Sequence, residues 1–332
     1  MISLPLTHRQ SAHCESGVVS SLLAYNGVEL SEPMVFGLAW GLTFAYIPFA
    51  KVNGMPLIAY RMPPTFIISS ISRRLGIPFV KRKYHSPAQA QVELDSLLEA
   101  GQPVGMQTSV YWLPYFPDDM RFNFNGHNLI VYGKGNGEYL VSDPVIQHTT
   151  RIAPKDLTDA RFAKGLLAPH GQMYYPVKTE ISAIHWEKVI RHSIRQTSGM
   201  MLHAPLPFIG IRGIRTLAHE VESWKNMPDQ RRARSFLAHI IRMQEEIGTG
   251  GGGFRFIYAA FLAEAGEKMG NDHLRELSKD MTAIGDIWRT FAGTAAYYVK
   301  RKQEVVDYRE IAAQLRTCAD REQDLFRKLL KI

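Results

Sequence analysis

The chain has few cysteines and no recognisable secretory signal. Only two cysteines, Cys14 and Cys318, occur among the 332 residues, and they lie in unrelated sequence contexts. A disulfide framework needs more cysteines than this, so the composition favours a reducing compartment. The first ten residues, MISLPLTHRQ, lack the positively charged start and sustained apolar core of a signal peptide. We therefore expect a cytoplasmic protein.

A convincing membrane span is also missing. Residues 34–50 form a stretch of 17 residues without a charge, which is at the lower limit of what can cross a bilayer. Gly37, Gly41 and Pro48 interrupt this stretch, and Lys51 ends it. Such interruptions favour a buried insert or a pocket wall over a transmembrane helix. We expect no membrane partner.

The charge of the chain is unbalanced but not concentrated. The formal net charge is +8 and the isoelectric point is about 9.4, so long-range attraction favours an acidic partner. The basic residues are scattered or lie in amphipathic segments, without the basic and aromatic stripe typical of nucleic-acid binding. The sequence therefore predicts no nucleic-acid partner and suits an acidic protein partner.

Length and composition indicate a folded protein with two domains. The chain exceeds the usual domain size of about 100–200 residues, and 45% of its residues are hydrophobic. Residues 1–178 mix helix-like and strand-like patterns, which predicts an α+β domain. Residues 179–332 show long helical periodicity with few β-branched runs, which predicts an all-helical domain.

Local patterns place three elements of the first domain near each other. An apolar run predicts a helix over residues 14–25, and buried strands are predicted over 103–110 and 128–132. Residues 138–141 read as a further strand, separated from its predecessor by the turn sequence GNG. The last two strands therefore form a predicted β-hairpin.

Cys14 stands at the start of the predicted helix, in the sequence HCESG. Unpaired backbone N–H groups and the positive end of the helix dipole stabilise a thiolate at such a position. The same N–H groups can stabilise an oxyanion on a carbonyl that the sulfur attacks. The position predicts that Cys14 is a nucleophile.

His127 and Asp143 are the predicted partners of Cys14. His127 precedes the first strand of the hairpin and Asp143 follows the second, so both side chains are expected at one end of adjacent strands. A histidine there can accept the thiol proton, and a carboxylate can hold its imidazole in the required tautomer. The sequence predicts a Cys–His–Asp triad.

Other residues have simpler interpretations. A lone cysteine is most often a small buried hydrophobic residue, and this alternative applies to Cys14 when its neighbours are ignored. Cys318 lies in a charged helical segment and is predicted to be inert. The twelve histidines lack metal-binding companions such as HExxH or CxxC, so no metal site is predicted.

These motifs carry a family resemblance. The order Cys–His–Asp with GHNLIVYG and YLVSDP resembles the papain-like fold of C39-type peptidases. HCESG, GHNLIVYG, the Asp-Pro pair and GTGGGGFRFIYAAFLAEA together resemble the butirosin biosynthesis protein H family over nearly the whole chain. The resemblance implies a papain-like N-terminal domain and an all-helical C-terminal domain that covers the active site.

The family's namesake moves an aminoacyl group from a carrier-protein thioester to an aminoglycoside amine. By resemblance, Cys14 would carry the acyl group as a thioester, His127 would act as base and then acid, and Asp143 would orient His127. The implied donor is a phosphopantetheine thioester on an acidic acyl carrier protein, with coenzyme A as the alternative. The implied acceptor is a small-molecule amine or hydroxyl in specialised metabolite biosynthesis, and no cofactor is expected to stay bound.

The sequence leaves several points open. Hydrolysis of a peptide, amide or thioester by the same triad is an alternative, and a non-catalytic binding module is a third. Papain-like enzymes usually place an oxyanion-binding glutamine about six residues before the cysteine, where this chain has His8. Gln10 and the Cys14 backbone N–H are therefore the candidate oxyanion donors.

Candidate substrate contacts complete the sequence-based predictions. Arg255 and Tyr258 follow the glycine-rich segment 249–253, whose small residues permit close backbone approach, so they are predicted to face the cleft. Trp112 lies on an aromatic loop that could roof the site together with Tyr115 and Phe116. A homo-oligomer is left open.

Overall fold

The computed structural model describes residues 1–52, 54–178 and 184–332. Contacts divide the chain into two compact units, of which the first comprises Met1–Val35 and Pro64–Ala183. The second comprises Phe36–Pro63 and Ile184–Ile332. Both units are therefore built from segments that are separated in the sequence.

The described strands, in chain order, are β1 (Ile2–Ser3), β2 (Leu42–Val52), β3 (Met55–Arg61), β4 (Phe79–Arg82), β5 (Val104–Thr108), β6 (His127–Gly135), β7 (Glu138–Ser142), β8 (Thr150–Ile152) and β9 (Met173–Pro176). The described α-helices are α1 (Cys14–Tyr25), α2 (Glu32–Leu38), α3 (Phe66–Leu75), α4 (Pro87–Glu99), α5 (Pro154–Arg161), α6 (Trp186–His203), α7 (Gly210–Ser223), α8 (Gln230–Ile241), α9 (Arg255–Met269), α10 (Asp272–Lys300) and α11 (Tyr308–Leu329).

An antiparallel sheet forms the centre of the first unit. Its strands lie in the order β4-β9-β5-β6-β7-β8. The short strand β1, at the start of the chain, pairs antiparallel with β6. The predicted hairpin is present as β6 and β7, joined at Asn136 and Gly137, which both have positive φ. Such a conformation favours Asn and Gly, so the sequence GNG specifies this turn.

The two faces of the sheet carry different neighbours. Leu129 and Val131 of β6 join Met106 of β5 in a core cluster that also contains Leu94 and Leu98 of α4. The alternate residues of these strands lie on the other face, as the two-residue period of a strand requires. Helix α1 packs on β5, β6 and β9, which places its first residue near the start of β6.

Gly105 of β5 permits this close packing of α1. A Cβ atom on Gly105 would lie 2.6 Å from the Tyr174 ring and 2.9 Å from Cδ1 of Leu22. Both distances are shorter than real side-chain contacts, so a larger residue would separate the helix from the sheet.

The second unit combines the hairpin β2–β3 with helices α6 to α11. Helix α10 packs against α8, α9 and α11, and α7 packs against α11 and β2. The hairpin supplies rings to this core: Phe44 stacks on Trp288 with 5.9 Å between ring centroids, and Tyr60 meets Trp288 edge-on at 5.6 Å. The helices therefore share their core with a β-hairpin.

The segment 36–63 departs from the predicted domain division. The sequence predicted one boundary after residue 178 and an all-helical second domain, whereas this segment and its hairpin belong to the second unit. The apolar character of residues 34–50 predicted burial, and most of them are buried. Burial alone does not specify which core a segment joins, since that depends on partners far along the chain.

The predicted α+β class is confirmed, with a sheet-containing N-terminal unit and a C-terminal region rich in helix. No helix among the described residues is long and apolar enough to span a membrane.

Candidate active site

Cys14 is the first residue of α1. The preceding residue, His13, has extended backbone angles and its ring nitrogen accepts the backbone N–H of Ser16, so it caps the helix. Cys14 is 7% exposed, and its thiol lies 3.9 Å from the carbonyl oxygen of Gly126, just before β6. The structure thus places Cys14 at the start of a helix, as the sequence predicted.

Two carboxylates, the partly buried Glu32 and the buried Glu15, hold the first turn of α1. Glu32 accepts hydrogen bonds from the backbone N–H groups of Ala12 and His13, at 2.9 and 2.6 Å. Burial raises the pKa of Glu32 above its ordinary value, although these bonds act in the opposite direction. Glu15 accepts the backbone N–H of Ile67 at 3.0 Å, which ties α1 to α3. The backbone that presents Cys14 is thus fixed on both sides.

His127 and Asp143 meet at one edge of the sheet. His127 begins β6 and Asp143 directly follows β7, and the antiparallel register brings these two ends together. The Nε2–H of His127 donates to Oδ2 of Asp143 at 2.6 Å, and both side chains are buried. The Cys14 side chain is a further hydrogen-bonding neighbour of the His127 imidazole. The structure therefore brings the three predicted residues together.

The pKa of His127 reflects these neighbours. Burial alone lowers this pKa, because it penalises the charged form. Asp143 and, to a smaller extent, Cys14 act against burial and raise the pKa from 6.5 to about 10. The protonated imidazolium of His127 is consequently favoured at neutral pH.

Asp143 has two additional donors. The hydroxyl of Tyr115 donates to Oδ2 at 2.9 Å, and the backbone N–H of Val145 donates to Oδ1 at 3.0 Å. Burial, followed by the charge of Asp143, raises the pKa of Tyr115 well above its ordinary value, so the phenol remains a donor. Tyr115 thus fixes the carboxylate that orients His127.

The aromatic loop lies partly on the triad. Phe116 meets the His127 ring edge-on, with 5.6 Å between ring centroids. Trp112 instead is 43% exposed and its ring lies against Tyr111. Tyr115 and Phe116 therefore contact triad residues, while a substrate contact of Trp112 stays a prediction.

Gly17, the last residue of the HCESG motif, leaves room for a neighbouring loop. A Cβ atom on Gly17 would lie 2.6 Å from Cβ of Ser11 and 2.9 Å from Cβ of Pro144. The backbone N–H of Ser11 also donates to the carbonyl of Pro144 at 2.7 Å. The Asp143–Pro144 loop can approach the first turn of α1 only because residue 17 has no side chain.

Family profiles match both parts of the chain. The profile described as butirosin biosynthesis protein H, N-terminal, matches residues 13–144, and it includes Cys14, His127 and Asp143. The profile of a domain of unknown function, DUF4872, matches residues 155–329, more than half of the chain. The chain belongs to the butirosin biosynthesis protein H family. Membership in this family supports a cysteine-based enzyme.

Similarity to other known proteins is weak. No curated protein is similar enough to count as a match. A solved structure of a C39-like peptidase from Bacillus anthracis is 15% identical, with a TM-score of 0.38, and the alignment covers 55% of this chain and 100% of that one. Similarity at this level does not establish a common fold.

Among the described residues, no hydrogen bond joins the side chain of His8 or Gln10 to Cys14. Gln10 is exposed. The two ring nitrogens of His8 lie 2.8 Å from the Ser142 hydroxyl and 3.2 Å from the carbonyl oxygen of Ile146. His8 thus supports the end of β7, and the role of Gln10 stays a prediction.

Arg255 is buried in the second unit, where other residues of that unit bind its guanidinium. Its guanidinium forms two hydrogen bonds with the carboxylate of Glu322, at 2.8 and 3.1 Å, and a third with the carbonyl of Gly253 at 2.7 Å. The Nε1–H of Trp288 donates to the same carboxylate at 2.6 Å, and Arg255 and Glu322 are fully buried. These contacts argue for a structural role of Arg255 in place of the predicted substrate contact.

Tyr258 is also fully buried, and its ring packs on Phe261 and Phe326. This environment likewise favours core packing over the predicted contact with substrate. Among the described residues, no group of three or more His, Cys, Asp or Glu side chains is placed to hold a metal ion.

Proposed function

We propose that the chain is a cysteine-dependent acyltransferase in which Cys14 carries the acyl group. The observation that supports this most strongly is the buried 2.6 Å hydrogen bond between His127 and Asp143 beside a cysteine at a helix start. Membership in a family named for a biosynthesis protein points to specialised metabolism. The donor is a thioester on the phosphopantetheine arm of an acyl carrier protein, and the acceptor is a small amine or alcohol.

The first half-reaction forms the acyl-enzyme. The Cys14 thiolate attacks the thioester carbonyl, and the backbone N–H of Cys14 stabilises the oxyanion. The bond from the carbonyl carbon to the pantetheine sulfur breaks, and the protonated His127 gives its proton to the departing sulfur. The acyl group is then held as a thioester on Cys14.

The second half-reaction releases the product. Acylation removes the thiolate charge, which lowers the pKa of His127 and lets its imidazole accept a proton from the attacking amine or alcohol. The acceptor attacks the acyl carbon, and the bond to the Cys14 sulfur breaks. The thiolate and the imidazolium are restored together, with Asp143 holding the ring in place throughout.

The low exposure of the triad favours transfer over hydrolysis. Cys14, His127 and Asp143 are 7%, 4% and 0% exposed. A restricted site limits the access of bulk water to an acyl-enzyme, whereas a bound acceptor is held next to it. Hydrolysis by the same residues is the alternative, and the decay of the acyl-enzyme with and without amines distinguishes the two.

The charge distribution supports an acidic carrier protein as the donor's partner. Basic and acidic residues are equal in number in Met1–Val35 and Pro64–Ala183, so the whole formal excess of +8 falls on the second unit. An acidic partner would be attracted to this unit over a distance of about 10 Å in 0.1 M salt. We therefore propose that the carrier protein binds the second unit.

Intact-mass analysis tests the acyl-enzyme. The protein is incubated with acylated carrier proteins and with short acyl thioesters, and a mass increase of one acyl group is expected. Cys14→Ala should abolish the increase, whereas Cys318→Ala, which removes the other buried cysteine, should retain it. Acylation that persists in Cys14→Ala, or that never occurs in the wild type, contradicts the proposal.

Two further arms of this experiment test the acceptor and the carrier. Decay of the acyl-enzyme is followed with and without amines, and acceleration by amine with formation of amide indicates transfer, whereas unaffected decay to the free acid indicates hydrolysis. Raising the salt concentration should slow acylation by the carrier-borne donor and leave acylation by the short thioester unchanged. Equal salt responses would exclude electrostatic carrier binding.

A further inference from the structure

Asn128 forms a second polar network around Cys14, separate from the pair His127–Asp143. It follows His127 in β6, is buried, and pairs in register with Gln107 of β5. Its amide nitrogen lies 3.1 Å from the carbonyl oxygen of Gly126 and 3.9 Å from the sulfur of Cys14. Because the two residues alternate along the strand, Asn128 approaches the sulfur from a different side than His127.

Tyr174 sets the orientation of this amide. The Tyr174 hydroxyl and the amide oxygen of Asn128 are 2.8 Å apart. The carbonyl of Gly126 only accepts hydrogen bonds, so the nitrogen of Asn128 must face Gly126 and the oxygen must face Tyr174. Burial, followed by the charges of Glu15 and Cys14, raises the pKa of Tyr174 well above its ordinary value, so its hydroxyl stays a donor. The amide N–H groups are thereby directed at the sulfur.

A directed amide N–H next to sulfur has a clear chemical effect. A thiolate accepts a hydrogen bond from such a donor more strongly than a neutral thiol does, since the bond is charge-assisted. The donor favours the charged form and limits the directions in which the sulfur can point. Two titratable groups that interact with the sulfur are His127 from β6 and Tyr174 from β9, and Glu15 on α1 in turn acts on Tyr174.

We infer that Asn128 is a positioning residue that donates to the Cys14 thiolate, and that Tyr174 holds its amide in the donating orientation. This inference rests on the proposed role of Cys14 as the nucleophile. Asn128 thereby adds to the site a side-chain amide that the sequence motifs did not single out.

The test is the pH dependence of Cys14 alkylation by iodoacetamide, measured by intact mass in a Cys318→Ala background. Asn128→Leu, which keeps the size but loses the amide, should slow alkylation about tenfold at pH 7 and leave the plateau rate at high pH unchanged. Tyr174→Phe keeps the ring that packs on Gly105 and loses only the hydroxyl, so a smaller decrease, about threefold, is expected at pH 7.

Tyr25→Phe is the matched control. Tyr25 ends α1, and its hydroxyl donates to the carbonyl of Gly101 at 2.9 Å, far along the helix from Cys14. This variant should keep the wild-type pH profile. A merely structural effect of the Asn128 or Tyr174 substitution would slow alkylation equally at all pH values.

Two results would overturn the inference. One is an unchanged pH profile in both Asn128→Leu and Tyr174→Phe, and the other is wild-type Cys14 that reacts at pH 7 no faster than a free thiol. The alkylation assay contains no acyl donor, so failure of this inference is distinguishable from failure of the proposed function. A protein with the expected alkylation profiles that no thioester acylates would retain this inference and lose the acyltransferase proposal.

Discussion

Tyr115 and His127 donate to the same oxygen of Asp143, at 2.9 and 2.6 Å. The phenol and the imidazole therefore compete for one negative charge while holding it in place from two directions. The backbone N–H of Val145 occupies the other carboxylate oxygen, so the carboxylate has little freedom to rotate. The triad thus depends on a residue from the loop between β5 and β6.

Tyr115→Phe should reduce turnover without unfolding the protein. Removal of the hydroxyl leaves Asp143 held by fewer donors, so its carboxylate can rotate away from His127, and a loss of about three- to tenfold is expected. The measurement is the rate of acyl-enzyme decay in the presence of amine. Tyr111→Phe, an exposed tyrosine of the same loop, is the control and should behave as the wild type. Equal rates for both variants would contradict a role of Tyr115.

Asp143→Asn should lower the pKa of His127 more than Cys14→Ala does. Asp143 is the larger of the two influences that raise this pKa, and burial remains to lower it after either substitution. NMR titration of the His127 ring protons measures the pKa directly. A larger decrease in Cys14→Ala would show that the thiolate, and not the carboxylate, controls the imidazole.

The same shift predicts how stability changes with pH. The pKa of His127 is raised from 6.5 to about 10 in the folded protein, so the protonated form stabilises the fold fully below about pH 6.5. This contribution is lost as the pH rises through about 10. The free energy of unfolding of the wild type should therefore decline between pH 7 and 10 more steeply than that of Asp143→Asn, as measured by urea denaturation.

Gly17→Ala should disturb the triad through the Asp143–Pro144 loop. The added methyl group would overlap Ser11 and Pro144, and relief of this overlap moves the loop away from α1. We expect a loss of about 1–3 kcal/mol in the free energy of unfolding and a larger proportional loss of acylation rate. Denaturant unfolding and the acylation assay measure the two effects.

Gly199→Ala is the matched control for that substitution. Gly199 lies inside α6, and a Cβ atom there has no neighbour within 4 Å. Alanine should raise the free energy of unfolding by up to about 1 kcal/mol, since glycine weakens helix interiors. If Gly17→Ala were as well tolerated as Gly199→Ala, the close approach of the loop would not be required.

Gly253→Ala and Gly270→Ala separate backbone strain from overlap in the second unit. Both glycines have positive φ, 57° and 59°, but a Cβ atom on Gly253 would lie 2.3 Å from the Tyr60 ring, whereas one on Gly270 has open space. Gly270→Ala should cost about 1 kcal/mol through strain alone. Gly253→Ala should cost about 1–3 kcal/mol more, as measured by thermal unfolding. Equal losses would show that the ring moves freely.

Local patterns made much of the triad predictable. The helix 14–25 agrees with the structure because an apolar run and a capping residue specify it within a few residues. The hairpin was equally local, since its turn and both strands lie within residues 127–142. A hairpin places the residues at its two ends side by side, so the pairing of His127 with Asp143 followed from topology.

Long-range partners were not predictable in the same way. The glycine-rich segment suggested an accessible Arg255, but the carboxylate that binds this residue is Glu322, far along the chain in α11. Asn128 was visible beside His127 in the motif, yet its significance depends on Tyr174 in β9. A single sequence does not reveal which distant polar residue completes a buried network.

The hairpin β2–β3 is synthesised early and finds its partners late. Its rings at Phe44 and Tyr60 pack on Trp288, and the chain between them takes on the order of tens of seconds to translate at about 5–20 residues per second. During that interval the nascent chain exposes apolar aromatic surface that its own helices have yet to bury. A fragment that stops at residue 178 would keep this surface exposed permanently, so we expect the first half of the chain to aggregate when it is produced alone.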